Sequence, residues 1–306
     1  MKKLAFHHGC NRINKYIIKK VSRFTFYKGI KYLIVRFINF DYVNWSENTL
    51  NKKEMPIGFL DSGLGGLSVL REALKIMPNE NYIYFGDSKN APYGTKTKKE
   101  IRDLTFKTVE FLLEKGAKGI VVACNTATSA AVAELRFVYP DIPLVGIEPA
   151  IKPAVELNKK GKILMMATPM TVKQDKFKYL LNRYKDEADI VPIPCEGLME
   201  FVENGKFEGE ELEAYLREKL YRYDSSNTSS IVLGCTHYPF VIEAIKNVIG
   251  NDVEIIDGGL GTAREIKRRL AEKDLLNDSH AKGRIEVYNS SDEERFIDLS
   301  WKLINL

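Results

Sequence analysis

From Pro56 onward the chain alternates short apolar runs with segments of helical period, and this alternation restricts the fold more than any other feature. The apolar runs fall at 57–60, 82–85, 119–123, 144–147, 163–167, 190–193, 231–233, 253–256 and 285–288. One intervening segment shows the helical logic. Thr97 and Glu100 have capping-box spacing, Ile101, Leu104, Thr108, Phe111 and Leu112 share a face, and Gly116 supplies the stop. Strands separated by helices pair in parallel, are covered on both faces, and present ligand sites at their carboxyl ends. The chain is therefore expected to be α/β.

An internal echo divides that pattern in two. GIVVACNT at 119–126 and SIVLGCT at 230–236 each read as a buried strand that ends in a cysteine, followed by a Thr-containing turn. A weaker echo pairs 57–61 with 163–168. Two similar α/β lobes, each presenting a thiol at a strand end, account for both.

Charge is also divided. Residues 1–54 hold twelve Lys/Arg against three Asp/Glu, leaving 34 against 38 for the remainder, so the overall +5 is no argument for a nucleic-acid partner. The first 54 residues mix these cations with Phe24, Phe26, Tyr27, Tyr32, Phe37, Phe40, Tyr42 and Trp45, and carry a loose stripe of Ile13, Ile17, Val21 and Phe24. Two readings stand: a basic amphipathic arm for a membrane surface or nucleic acid, or a poorly ordered extension whose natural start is Met55. The second is preferred, because the first strand begins just after Met55. The longest early apolar run, 32–35, is stopped by Arg36, far short of the roughly 20 residues that span a bilayer. Neither stable membrane insertion nor export is expected.

Cys10, Cys124, Cys195 and Cys235 lie far apart, with no C-x-x-C pair and no Cys/His cluster, which argues against zinc and disulfides and for reduced thiols in a cytosol. Cys10 and Cys195 read as small buried hydrophobes. Cys124 and Cys235 sit just before helices, whose positive termini are expected to lower their pKa. His237 is placed to tune Cys235. DSGLGG at 61–66 follows the first strand. Its amides suit a carboxylate, while Asp61 suits an ammonium or a neighbouring thiol, so a small zwitterion fits both. A dinucleotide fits poorly, since Ser68 replaces the third glycine of its fingerprint. The turn GDSKNAPYG at 86–94 caps the same strand ends.

Two thiols from two lobes match one chemistry better than others. Inverting a stereocentre without a cofactor takes a base on one face and an acid of similar pKa on the other, with donors for the carboxylate of the developing carbanion. A cysteine hydrolase would leave Cys124 idle.

Taken together, DSGLGGLSV at 61–69, GD at 86–87 with PYG at 92–94, VACNTA at 122–127, EP at 148–149 and LGCTHYP at 233–239 resemble the bacterial glutamate racemases of the aspartate/glutamate racemase superfamily. The likeness runs from about Pro56 to the C-terminus. It implies two flavodoxin-like lobes of mostly parallel sheet with the active site in the cleft between them, and no cofactor or metal. The implied domains are 56–148 plus about 260–306, and about 149–259, after a 1–55 extension. It further implies that Cys124 and Cys235 act on opposite faces of glutamate, assisted by Asp61 and His237, with Glu203 as a further acidic helper. Asp61, Ser62, Tyr93, Gly94, Asn125, Thr126, Thr236 and His237 would form the pocket. Around Glu203 the sequence departs from the family, with Glu196 and Glu200 where prolines are usual. A cytoplasmic homodimer supplying D-glutamate for peptidoglycan follows from the same likeness. An aspartate racemase and a non-catalytic glutamate-binding regulator remain the alternatives.

Overall fold

A computed structural model describes residues 49–173 and 175–306. The basic-aromatic stretch at 1–48, with Cys10, lies outside the described residues. Helix α1 (Thr49–Glu54) precedes β1 (Ile57–Asp61), α2 (Leu67–Ile76) and β2 (Tyr82–Gly86). Then come α3 (Lys98–Glu114), β3 (Gly119–Val122), α4 (Asn125–Val138), β4 (Leu144–Gly146) and α5 (Ile151–Glu156). The second half holds β5 (Lys162–Ala167), α6 (Pro169–Lys173), α7 (Asp175–Tyr184), β6 (Ile190–Pro194), α8 (Leu198–Glu203), α9 (Glu210–Leu220) and β7 (Thr228–Leu233). It closes with α10 (Ile242–Ile249), β8 (Glu254–Asp257), α11 (Gly259–Glu272), β9 (Ile285–Asn289) and α12 (Arg295–Ile304).

All nine expected strands form, shifted at their ends by at most three residues. They make two all-parallel sheets, ordered β4-β3-β1-β2-β9 and β6-β5-β7-β8. Strands β1, β3 and β7, inside the sheets, are buried along their length, as the continuous apolar runs require. In the first sheet β2 and β3 flank β1, and in the second β6 and β7 flank β5. Strand order therefore reverses between β1 and β3 and again between β5 and β7, the positions where α/β sheets open a crevice for ligands. Cys124 follows β3 and Cys235 follows β7. After β8 the chain returns to the first lobe: α11 packs on α2, and β9 pairs with β2.

The capping box is made as the sequence predicts. Thr97 Oγ1 accepts the Glu100 amide, and Glu100 Oε2 accepts the Thr97 amide at 2.9 Å. Gly116 ends the segment at φ +86°, a conformation that favours glycine. The buried face differs by part of a turn. Thr105, Phe106 and Val109 are buried with Ile101, Thr108 and Leu112, while Leu104 and Phe111 lie on the flank. Phe111 finds its contacts there, against Phe85 and Tyr288.

At the opposite end of the first sheet from the thiol turn, a buried ion pair joins Lys118 to Glu80. Lys118 also donates to the Lys53 carbonyl, and Lys53 in turn reaches Asp274 at 3.1 Å and Asp278 at 3.2 Å. Asn81 Nδ2 donates to the Glu54 carbonyl. Residues just before Met55 are thus bonded into the first lobe.

Candidate active site

The site is built around the turn that follows β1. Asp61 closes the strand, and its Oδ1 accepts the Gly63 amide at 2.9 Å while Oδ2 accepts the Thr236 hydroxyl at 3.0 Å. The next amide, Leu64, donates to Glu203 Oε1 at 2.6 Å. Ser68 Oγ, on α2, lies 2.8 Å from both the Gly65 and Thr236 carbonyls and shares its proton between them. Three elements distant in sequence, the 61–68 turn, the end of α8 and the turn after β7, therefore converge.

Each thiol is held against this turn. Cys124 caps α4, its Sγ 3.5 Å from the Ala127 amide and 3.6 Å from Ser62 Oγ. Cys235 Sγ lies 3.6 Å from His237 Nδ1, and His237 Nε2 lies 2.7 Å from Glu203 Oε1. A carboxylate that close requires a proton on Nε2. The Gly65 amide, 3.2 Å from the same nitrogen, is then a close approach and not a hydrogen bond. Only glycines fit here: a Cβ on Gly65 would stand 2.3 Å from His237 Nδ1, and one on Gly63 would stand 2.1 Å from Glu203 Oε1.

Burial dominates the electrostatics. It pushes the Asp61 carboxyl up, against the opposing pull of His237 and the bonds from Gly63 and Thr236. It pushes the Cys124 thiol up to about 12, with the Asp61 charge adding to the effect and the Ala127 amide and Ser62 only partly opposing it. The expectation that the helix terminus makes Cys124 acidic is thereby corrected: the helix acts in the expected direction, but desolvation and a neighbouring carboxylate outweigh it. For His237, burial pulls the pKa down, yet bonds to Cys235 and Glu203 and their charges win and raise it well above its ordinary value.

A second correction concerns the glycine turn. Two of its amides are engaged by the protein's own groups, Gly63 by Asp61 and Leu64 by Glu203, so these two are not open to a substrate carboxylate as the sequence suggests. Buried, polar and close by are Ser62, Thr126, Thr236 and Asn125, and Asn125 Oδ1 has no hydrogen-bond partner. Tyr93 donates its hydroxyl to Asp87 at 2.6 Å, so its side chain is committed to the 86–94 turn. Across from Gly94 lie Met170 and Thr168, whose hydroxyl is 3.0 Å from that of Thr171. These threonines were missed, although the echo between 57–61 and 163–168 marked their strand end. Cys195 is buried behind the Cys235 turn, its carbonyl accepting the Tyr238 hydroxyl at 3.1 Å, consistent with a packing role. Among the described residues no cluster of three or more His, Cys, Asp or Glu side chains is arranged to hold a metal ion, and no helix is long and apolar enough to cross a membrane.

Residues 65–266 match the Asp/Glu/Hydantoin racemase family. The glutamate racemase of Clostridium botulinum Alaska E43 is 58% identical over 255 residues, covering 83% of this chain and 99% of its own length. Among solved structures, glutamate racemase from Francisella tularensis in complex with D-glutamate is 29% identical with a TM-score of 0.71, over 83% of this chain and 95% of its own. The Escherichia coli glutamate racemase in complex with L-glutamate and the activator UDP-MurNAc-ala is 29% identical with a TM-score of 0.72, over 81% and 95%.

Proposed function

The chain belongs to the glutamate racemases of the Asp/Glu/Hydantoin racemase family, and we propose that it interconverts L- and D-glutamate by moving the α-proton between Cys124 and Cys235, with no cofactor. The observation that carries this reading is a pair of buried thiols close enough to feel each other's charge, Cys124 beside the Asp61 carboxylate and Cys235 beside the His237 imidazole.

In one direction the Cys235 thiolate, supported by the charge on His237, takes the α-hydrogen from one face of glutamate. The electron pair left on the α-carbon is delocalised into the adjacent carboxylate, and Cys124, held as a thiol, gives its proton to the other face. The step ends with a thiol at 235 and a thiolate at 124; loss of a proton from Cys235 to solvent and gain of one by Cys124 restore the first state for another turnover, and from the end state the same step runs in reverse on D-glutamate. Glu203 keeps His237 charged, and Asp61 receives the proton traffic on the Cys124 side. Exclusion of water strengthens each of these interactions. Asn125 Oδ1 is an acceptor suited to the substrate ammonium. The hydroxyls of Ser62, Thr126 and Thr236 are donors for its α-carboxylate, and the backbone at Tyr93 and Gly94 completes the pocket.

The product D-glutamate would enter peptidoglycan synthesis in the cytoplasm, from an enzyme acting as a homodimer. Thr236-His237 after the second thiol favours glutamate over aspartate as substrate. Purified protein, dialysed against chelator, is expected to racemise L-glutamate in D2O and to place deuterium on the α-carbon of newly formed D-glutamate. Retention of the original hydrogen in the product would overturn the two-thiol mechanism, and turnover of aspartate alone would overturn the substrate.

A further inference from the structure

Tyr84 is fully buried on β2, and its hydroxyl donates to the Gly63 carbonyl at 2.7 Å. A buried phenol needs a partner, but this one is placed on a particular peptide. The carbonyl of the Gly63–Leu64 peptide takes the Tyr84 bond, and the amide of the same planar unit makes the 2.6 Å bond to Glu203. From Glu203 the chain of contacts continues to His237 Nε2 at 2.7 Å and from Nδ1 to Cys235 Sγ at 3.6 Å. Holding one end of a rigid peptide fixes where the other end points. Glycines at 63 and 65 have the widest backbone freedom of any residue, and an outside constraint is what keeps such a turn in one orientation.

We propose that Tyr84 is a positioning residue for the Cys235 side of the reaction: its hydroxyl orients the Gly63–Leu64 peptide so that the Leu64 amide holds Glu203 against His237. The proposal rests on the two-thiol racemase reading and adds a residue that touches neither substrate nor thiol. The same strand provides a control. Tyr82 is equally buried two residues earlier, but its hydroxyl bonds the Ala73 and Met77 carbonyls at the end of α2, away from the site.

The test compares wild type, Tyr84→Phe and Tyr82→Phe, both substitutions keeping the ring and removing the hydroxyl. In Tyr84→Phe, kcat/KM is expected to fall about fivefold to tenfold, the cost of one hydrogen bond, and equally for both enantiomers, whose free energies are the same. His237 faces Glu203 from α8, Cys235 from its own turn and Asp61 from the end of β1. Loosening Glu203 removes part of what keeps the ring charged, so the alkaline limb of the pH profile is expected at lower pH. Tyr82→Phe is expected to shift neither quantity. In a Glu203→Gln background, adding Tyr84→Phe is expected to change kcat/KM by less than about twofold, because the effect passes through Glu203. A Tyr84→Phe enzyme with wild-type kcat/KM, a reduced kcat/KM with an unmoved pH limb, or effects that multiply with Glu203→Gln would each overturn the proposal while leaving the racemase reading intact. A wild-type protein that does not racemise glutamate would overturn both.

Discussion

The turn after β3 and the turn after β7 share a plan and differ in charge. Each places a cysteine where strand order reverses in a parallel sheet. Around Cys124 the neighbours are a buried carboxylate, a hydroxyl and a helix amide, and the thiol is pushed up to about 12. Around Cys235 the neighbour is an imidazole whose pKa is raised, against burial, by its contacts with Cys235 and Glu203. Topology settles where the two turns stand, and the side chains packed against each sulfur make their surroundings different. On the proposed mechanism, a reaction whose two ends have equal energy would therefore run between two unlike surroundings.

The comparison is broken most directly by removing a thiol. Cys124→Ala and Cys235→Ala are each expected to lower racemisation by more than about 10³-fold, the upper range for loss of a general acid or base. Chiral chromatography of the product measures this, and either variant staying within tenfold of wild type would mean that the turns are not partners. Exchanging the neighbour has a smaller effect. His237→Asn is expected to lower kcat by about 10²-fold, and the alkaline limb that reports loss of the imidazolium should vanish from the pH profile. A limb that persists unchanged would assign it to another group.

The smallest effect sharpens the other half of the comparison. Burial raises the Asp61 carboxyl above its unfolded value. A carboxyl raised in this way costs stability at neutral pH and above, and the cost disappears as pH falls and the group protonates. Asp61→Asn is therefore expected to stabilise the protein by about 1 kcal/mol near pH 8, roughly 2–4 °C in Tm, with the gain shrinking toward pH 4, while activity falls. Thermal melts of the two proteins across that range decide it, and a loss of Tm at pH 8 would contradict the account.

How much of this was legible in the sequence follows from how local each cause is. The strands were legible because a run such as 119–123 must be buried on both faces wherever it lies, and the capping box because Thr97 and Glu100 meet within one turn. The α/β class and the thiol turns followed from the same local signals. The pKa of Cys124 is not legible in the sequence because its helix is adjacent while what raises it, first burial and then the charge of Asp61 63 residues away, is supplied by the fold. Glu203 occupies the Leu64 amide from 139 residues away, so no spacing rule could show that the glycine turn was already engaged. Lys53 looked like part of a basic tail. Its carbonyl is a partner of Lys118, which a charge count cannot reveal.

One small feature bears on selectivity. The side-chain oxygen of Asn125 is enclosed with no donor to meet it, and leaving such an acceptor unmet costs about 1–3 kcal/mol. An amino acid brings that donor with it. On the proposed reading, in which this oxygen meets the substrate ammonium, a keto acid of the same length presents both carboxylates and nothing for it, and is expected to bind more weakly by the order of magnitude that one orphaned polar group is worth.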